Sequence, residues 1–188
     1  MRKLKIGTRG SALAVAQARL VQDAYLKRGV ESELVIVRTR GDADLSSPLS
    51  EIGRGAFTDV FSEMIASGEL DVAVHSAKDL PTDEAHDAFF CLPRADARDA
   101  LLYLAGREVL RIGTGSPRRA AAVQKQFPQA DILPVRGNVD TRIQKMLAGE
   151  YDALVLACAG LDRLGFAHPE IRVERLAPTM CVPAACQG

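Results

Sequence analysis

Apolar positions along the chain follow two rhythms. Short apolar runs predict strands, and longer stretches with apolar residues three and four apart predict helices. Leu4-Lys5-Ile6 reads as a first strand, with Arg9 in the turn after it. Ser11 suits the cap of a helix over about 12–28, striped by Leu13, Ala16, Leu20 and Ala24 and stopped by Gly29. Residues 33–37 predict a second strand that delivers Arg38 and Arg40 at its end. Residues 57–67 predict a helix with Phe57, Val60, Phe61, Met64 and Ile65 on its inner face. Strands follow over 71–75 and 89–92, and Pro93 to Arg98 reads as a crossing into a second domain. There, strands are predicted at 99–104, at Ile112, and over 131–135, 151–157 and 171–174, the last at a sheet edge. Helices run from Pro117 to about Gln126, from Asn138 onward and over 159–164. Such alternation predicts an α/β fold. Residues 41–56 are rich in Gly, Ser and acid, which predicts a long mobile loop of the lid or binding kind.

The pattern repeats. Ile6-Gly7-Thr8-Arg9-Gly10-Ser11, followed by an Ala-rich helix, is answered by Ile112-Gly113-Thr114-Gly115-Ser116-Pro117 and a second Ala-rich helix. Thr39-Arg40-Gly41 is answered by Val135-Arg136-Gly137, and Gly68-Glu69-Leu70-Asp71-Val72 by Gly149-Glu150-Tyr151-Asp152-Ala153. Three matches in one order predict two similar α/β domains. Their expected bounds are 1–92, with 181–188 returning to the first, and 93–180.

The Gly-Thr turns have a chemical consequence. Each places backbone N–H groups and a capped helix start at a strand's end, which suits an anion. Arg118 and Arg119 add full charges there, and Pro117 fits the first helical position. Arg9, Arg136, Arg142 and Arg163, with Lys78, also fall at strand ends or helix starts. A cleft between the domains, lined by these groups, is expected to hold a ligand with several carboxylates, which arginine forks bind bidentately. Asp79 is the lone acid expected there, fit to stabilise a cation or move a proton.

Composition narrows the partners. With 24 basic and 24 acidic residues the chain is neutral, which argues against nucleic acid. No apolar run reaches membrane-spanning length. His75, His86 and His168 are scattered, so no metal site is expected. Cys91, Cys158, Cys181 and Cys186 lack C-x-x-C spacing and three sit in apolar surroundings, which predicts reduced thiols in a cytoplasmic protein; a monomer is expected.

Five segments together resemble the porphobilinogen deaminase (hydroxymethylbilane synthase) family. They are Thr8–Ser11, His75–Pro81, Ser116–Arg119, Arg136–Arg142 and Ala159–Leu164, in the family's order and across the whole chain. The resemblance implies two α/β domains of the type II periplasmic-binding-protein kind and a third, smaller one. It implies a transferase of porphyrin and heme biosynthesis that joins four porphobilinogens into the tetrapyrrole hydroxymethylbilane with release of ammonia. The chain grows on a dipyrromethane cofactor, thioether-linked to a cysteine. By the same resemblance Asp79 and Lys78 take the catalytic place, Asp79 facing pyrrole nitrogens and stabilising the azafulvene cation. Arg9, Ser11, Gln17, Ser76, Thr114, Ser116, Arg118, Arg119, Arg136, Gly137, Arg142, Arg163 and Gln187 bind substrate and cofactor carboxylates. The 42–56 segment matches the active-site lid.

The sequence also departs from the family. Gly115 and Pro117 stand where Ser and Leu are more usual, and Cys186 where Gly is. None of the four cysteines matches the cofactor attachment position, and the third domain is absent, so a truncated deaminase with impaired or no turnover is expected. Cys186 reads as an ordinary thiol. The competing expectation is a non-catalytic two-domain binding protein for a multi-carboxylate small molecule.

Overall fold

The structure is a computed structural model that describes residues 2–39, 41, 58–80 and 90–188. The expected mobile loop therefore lies outside the described residues, Gly41 excepted, as do Arg40, Phe57, Pro81, His86 and Phe89. The chain divides into two compact units, Met1–Pro93 and Arg94–Gly188.

The first unit runs β1 (Leu4–Arg9), α1 (Ala12–Leu26), β2 (Ser32–Val37), α2 (Asp59–Ala66) and β3 (Val72–Ala73), then a 3-10 turn at Ala77–Asp79. Strand β1 is central and pairs parallel with both neighbours, Ile6 lying opposite Leu34 and Val72. Phe61 and Leu70 are buried, with Val60 and Met64 packed against them.

The second unit runs β4 (Asp99–Leu104), β5 (Arg111–Gly113), α3 (Pro117–Gln126), β6 (Asp131–Leu133), α4 (Val139–Leu147), β7 (Ala153–Ala157), α5 (Cys158–Arg163) and β8 (Ile171–Arg175). The sheet order is β6-β5-β7-β4-β8. Strand β5 pairs parallel with β6 and β7, and β4 runs antiparallel between β7 and β8. The sheet is covered on both faces, by Leu102, Met146 and Leu154 on one and Ile112, Val123 and Val155 on the other.

The sequence repeat has a physical cause in each unit. The glycine of Ile-Gly-Thr leaves room for a side chain that crosses the strand. A Cβ on Gly7 would come within 2.4 Å of Leu70, and one on Gly113 within 2.8 Å of Tyr151. Leu70 and Tyr151 occupy the same place in the Gly-Glu-Leu-Asp-Val and Gly-Glu-Tyr-Asp-Ala copies. Each copy starts on a glycine that ends a helix in the left-handed region, Gly68 at φ 76° and Gly149 at φ 83°. Its aspartate then clamps the strand start: Asp71 Oδ2 accepts from Lys5 N, and Asp152 Oδ2 from Arg111 N, each at 2.8 Å.

Several expectations need correction. Residues 90–92 form no strand: Phe90 is exposed and its ring packs edge-to-face with Tyr25, 6.3 Å away between ring centres. The strand expected at 71–75 pairs over two residues only. The strands expected at 131–135 and 151–157 are shorter, because Tyr151 turns its ring over Gly113 and donates its hydroxyl to Pro134 O at 2.8 Å. Arg9 ends β1 rather than following it. In α1 the buried residues are Ala18 and Val21, while Leu20 is exposed, as is Ile65 in α2. Two cysteines are buried, Cys158 and Cys181, and Cys91 and Cys186 are exposed. Residues 181–188 hydrogen-bond to the start of the second unit: Gln187 Nε2 donates to Ala97 O at 2.8 Å, and Ala95 N donates to Gly188 O at 2.9 Å.

Candidate functional site

Parallel pairing puts the C-terminal ends of β1 and β3 at one edge of the first sheet, where open α/β sheets bind ligands. Arg9 ends β1 there, and Ser11 caps α1 by accepting from Ala14 N at 3.3 Å. Buried Thr8 braces this turn by donating from Oγ1 to Ala14 O at 3.1 Å. Gln17 on α1 donates from Nε2 to Ser76 Oγ at 3.0 Å, tying the helix to the segment after β3. Lys78 and Asp79 follow on the 3-10 turn, both exposed, with Asp79 N donating to Ser76 O at 2.8 Å. Thus Arg9, Ser11, Gln17, Ser76, Lys78 and Asp79 share one edge of the first unit.

The second unit repeats the device on the C-terminal ends of β5, β6 and β7. Thr114 Oγ1 accepts from Ser116 N at 3.2 Å, and Ser116 caps α3, with Pro117 at the helix start. Gly137 stands at φ 107°, and Asn138 caps α4 by accepting from Thr141 N at 2.9 Å. Arg142 folds back and donates from Nε to Gly137 O at 2.7 Å. Arg163, at the end of α5, donates from Nη2 to Gly188 O at 2.8 Å. Arg136 lies half-buried between β6 and α4.

Arg118 and Arg119 neither float in water nor point only outward. Both reach Asp99, the fully buried first residue of β4. Arg118 Nη1 lies 2.7 Å from Asp99 Oδ2, and Arg119 Nε lies 2.9 Å from Oδ1. Gln187 and Cys181 complete the cluster: Gln187 Nε2 donates to Asp99 Oδ1 at 2.9 Å, and Cys181 Sγ lies 3.3 Å from Oδ2. Burial pushes the Asp99 carboxyl up, but the hydrogen bond from Arg118 and the charge of Arg119 outweigh it and hold the group below the usual carboxylate range. Burial, and then Asp99 beside it, pushes the Cys181 thiol up. Sequence reading missed two members of this cluster, Cys181 and, above all, Asp99. Its signal was an acid heading the apolar run Ala100-Leu101-Leu102, which calls for buried cations.

A second ion network lies nearby. Asp96 accepts from the backbone N–H, Nε and Nη2 of Arg98 and from Nη1 of Arg175, which also holds Asp162. Cys186 has φ 57°, in the region that favours glycine, so the Gly expected there by resemblance has a backbone reason.

The strand–turn–helix with cationic strand ends occurs twice, once in each of the two α/β units. The periplasmic VFT2 domain of BvgS from Bordetella pertussis shares this fold, 14% identical over 92% of this chain and 75% of its own, with a TM-score of 0.52. So does an ancestral arginine-binding protein, 15% identical over 93% of this chain and 79% of its own, with a TM-score of 0.51. These likenesses make the fold the type II periplasmic-binding-protein kind. Residues 4–188 match the family model described as "Porphobilinogen deaminase, dipyromethane cofactor binding domain". A porphobilinogen deaminase from Corynebacterium efficiens is 44% identical over 98% of this chain and 63% of its own length. The chain belongs to the porphobilinogen deaminase family and spans about three-fifths of the length of the curated relatives it matches. No helix among the described residues is long and apolar enough to cross a membrane.

Proposed function

We propose that this chain is the substrate- and cofactor-binding part of a porphobilinogen deaminase, acting as a cytoplasmic monomer that joins four porphobilinogens into hydroxymethylbilane. The supporting observation is the edge of the first unit, where the acid Asp79 stands beside Lys78 on the 3-10 turn that follows β3, and β3 pairs with the strand that ends in Arg9. A purely anion-binding edge gains nothing from a carboxylate, whereas a reaction that builds positive charge does. Porphobilinogen carries an acetate and a propionate, which suit Arg9, Ser11 and Lys78 in the first unit and Thr114, Ser116, Arg118, Arg136 and Arg142 in the second. Arg163, Gly137, Gln17 and Ser76 complete the binding set, with Arg119 and Gln187 beside them.

Dipyrromethane fits this donor set because its carboxylates match the cationic strand ends. When bound, it supplies the pyrrole carbon to which the first substrate's methylene is joined. Asp79 accepts from the substrate's pyrrole N–H. As the aminomethyl C–N bond breaks and ammonia leaves with the electron pair, the ring and methylene become cationic. The Asp79 carboxylate stabilises that charge.

Porphobilinogen binding by calorimetry and ammonia release, measured on this chain and on Asp79→Asn, test the reading. Ammonia release is expected to fall at least about 100-fold with the dissociation constant within about threefold. Equal ammonia release by the variant removes Asp79 from its role. Absence of porphobilinogen binding by the parent chain sinks the whole reading, and binding without ammonia release from the parent fits a deaminase part without turnover as well as a binding protein.

A further inference from the structure

The two arginines that follow the Gly-Thr turn of the second unit use Asp99 differently. Arg119 engages all three of its nitrogens: Nε on Asp99 Oδ1 at 2.9 Å, Nη1 on Val155 O at 3.3 Å, and Nη2 on Gln187 Oε1 at 3.3 Å. Its side chain is 8% exposed. A planar fork with every nitrogen engaged and almost no open surface has little left to offer a ligand. Arg118 makes its contacts among the described residues through Nη1 alone, to Asp99 Oδ2, Cys181 Sγ and Val182 O. Its side chain is 29% exposed, and Nε and Nη2 remain as donors.

We propose that Asp99 is a positioning residue that divides the work of the two arginines. It locks Arg119 inward as a strut against β7 and Gln187, and it pins Arg118 by one nitrogen so that the other two meet a ligand carboxylate. This rests on the reading of the Gly-Thr turn as a carboxylate site. It reassigns Arg119 and Gln187 from ligand contacts to support. The physical gain is order: a free arginine explores many rotamers, and a guanidinium already held at one corner loses fewer of them when it binds. One carboxylate, with an oxygen for each arginine, sets the position of both at once.

The test uses porphobilinogen as the probe. Arg118→Lys is expected to weaken its binding about tenfold or more while moving the thermal midpoint little. Arg119→Lys is expected to lower the midpoint by several degrees and change affinity no more than about threefold. Asp99→Asn keeps the shape but loosens Arg118, so it weakens binding only where Arg118 is present, and the double-mutant cycle is non-additive. An Asp99 that merely supports the fold gives an additive cycle, which overturns the proposal. So does a larger affinity loss in Arg119→Lys than in Arg118→Lys.

NMR of the arginine Nε–H groups in the unsubstituted chain covers the case in which Asp99→Asn does not fold. Arg119 is expected to exchange slowly with water and Arg118 rapidly, with porphobilinogen slowing Arg118. Equal exchange rates, or a ligand response at Arg119 instead, overturn the assignment. If porphobilinogen does not bind at all, the functional reading fails, and the contrast in exchange together with the Arg119→Lys midpoint still decides whether Asp99 sets the two arginines apart.

Discussion

Replacing Gly113 with alanine adds one methyl at the most crowded point of the second sheet. The new Cβ would sit 2.7 Å from Leu154 Cδ2 and 2.8 Å from Tyr151 Cδ1. Neither neighbour yields easily: Leu154 is fully buried, and Tyr151 is held by its hydroxyl on Pro134 O at 2.8 Å. Overpacking of this kind costs about 1–3 kcal/mol. Gly113 is not in the left-handed region, so alanine also removes freedom from the unfolded chain, which returns about 0.4–1 kcal/mol. The net is a loss of about 1–2 kcal/mol. If Arg94–Gly188 unfolds as its own cooperative unit, that lowers its midpoint by roughly 5–15 °C. Differential scanning calorimetry reads it directly. The same substitution in a Leu154→Val background is expected to cost less, because the nearer clash is trimmed. A midpoint that moves by less than about 2 °C, or two substitutions that simply add, would refute the idea that the Ile-Gly-Thr glycine exists to let a side chain cross the strand.

Acid should weaken the fold through three carboxylates held below their usual range: Asp96 chiefly by the Arg98 hydrogen bond, Asp152 by Arg111, and Asp99 by Arg118 and Arg119 against its burial. Each binds its proton more readily unfolded, so the stability it adds is present above about pH 4 and is lost as pH falls below that. Chemical unfolding at pH 7, 5 and 3 should show little change over the first step and a clear loss over the second, smaller in Asp152→Asn; a flat profile down to pH 3 would refute this. Thiol reactivity should split two and two, with Cys91 and Cys186 labelled rapidly by iodoacetamide at pH 7 and Cys158 and Cys181 only on unfolding, since burial raises both of the latter thiols. Intact-mass measurement counts the adducts, and rapid labelling of three or four would contradict the packing around Asp99 and Asp96.

The order of elements was legible in the sequence because its signals are local. Ser11, Ser116 and Asn138 were readable as caps, and each accepts from the backbone N–H three residues on. The two-fold repeat was legible for the same reason: a turn glycine, a helix-stopping glycine and a clamping aspartate are needed wherever that local geometry recurs. The candidate residues of the first unit were legible because parallel strands bring their C-terminal ends to one edge.

What the sequence hid depends on distance along the chain. Whether 90–92 forms a strand depends on a partner, and an exposed phenylalanine beside a tyrosine edge is not one. Whether Leu20 or Val21 faces the core depends on how α1 lies on its sheet. Above all, the fate of Arg118 and Arg119 was decided by Asp99, Cys181 and Gln187, which lie 19 to 88 residues from their partners in the cluster. Local charge pattern marked both arginines as anion binders. Only the folded sheet, by burying Asp99 without water to solvate it, ties both to a carboxylate the chain itself provides and leaves Arg118 with donors to spare.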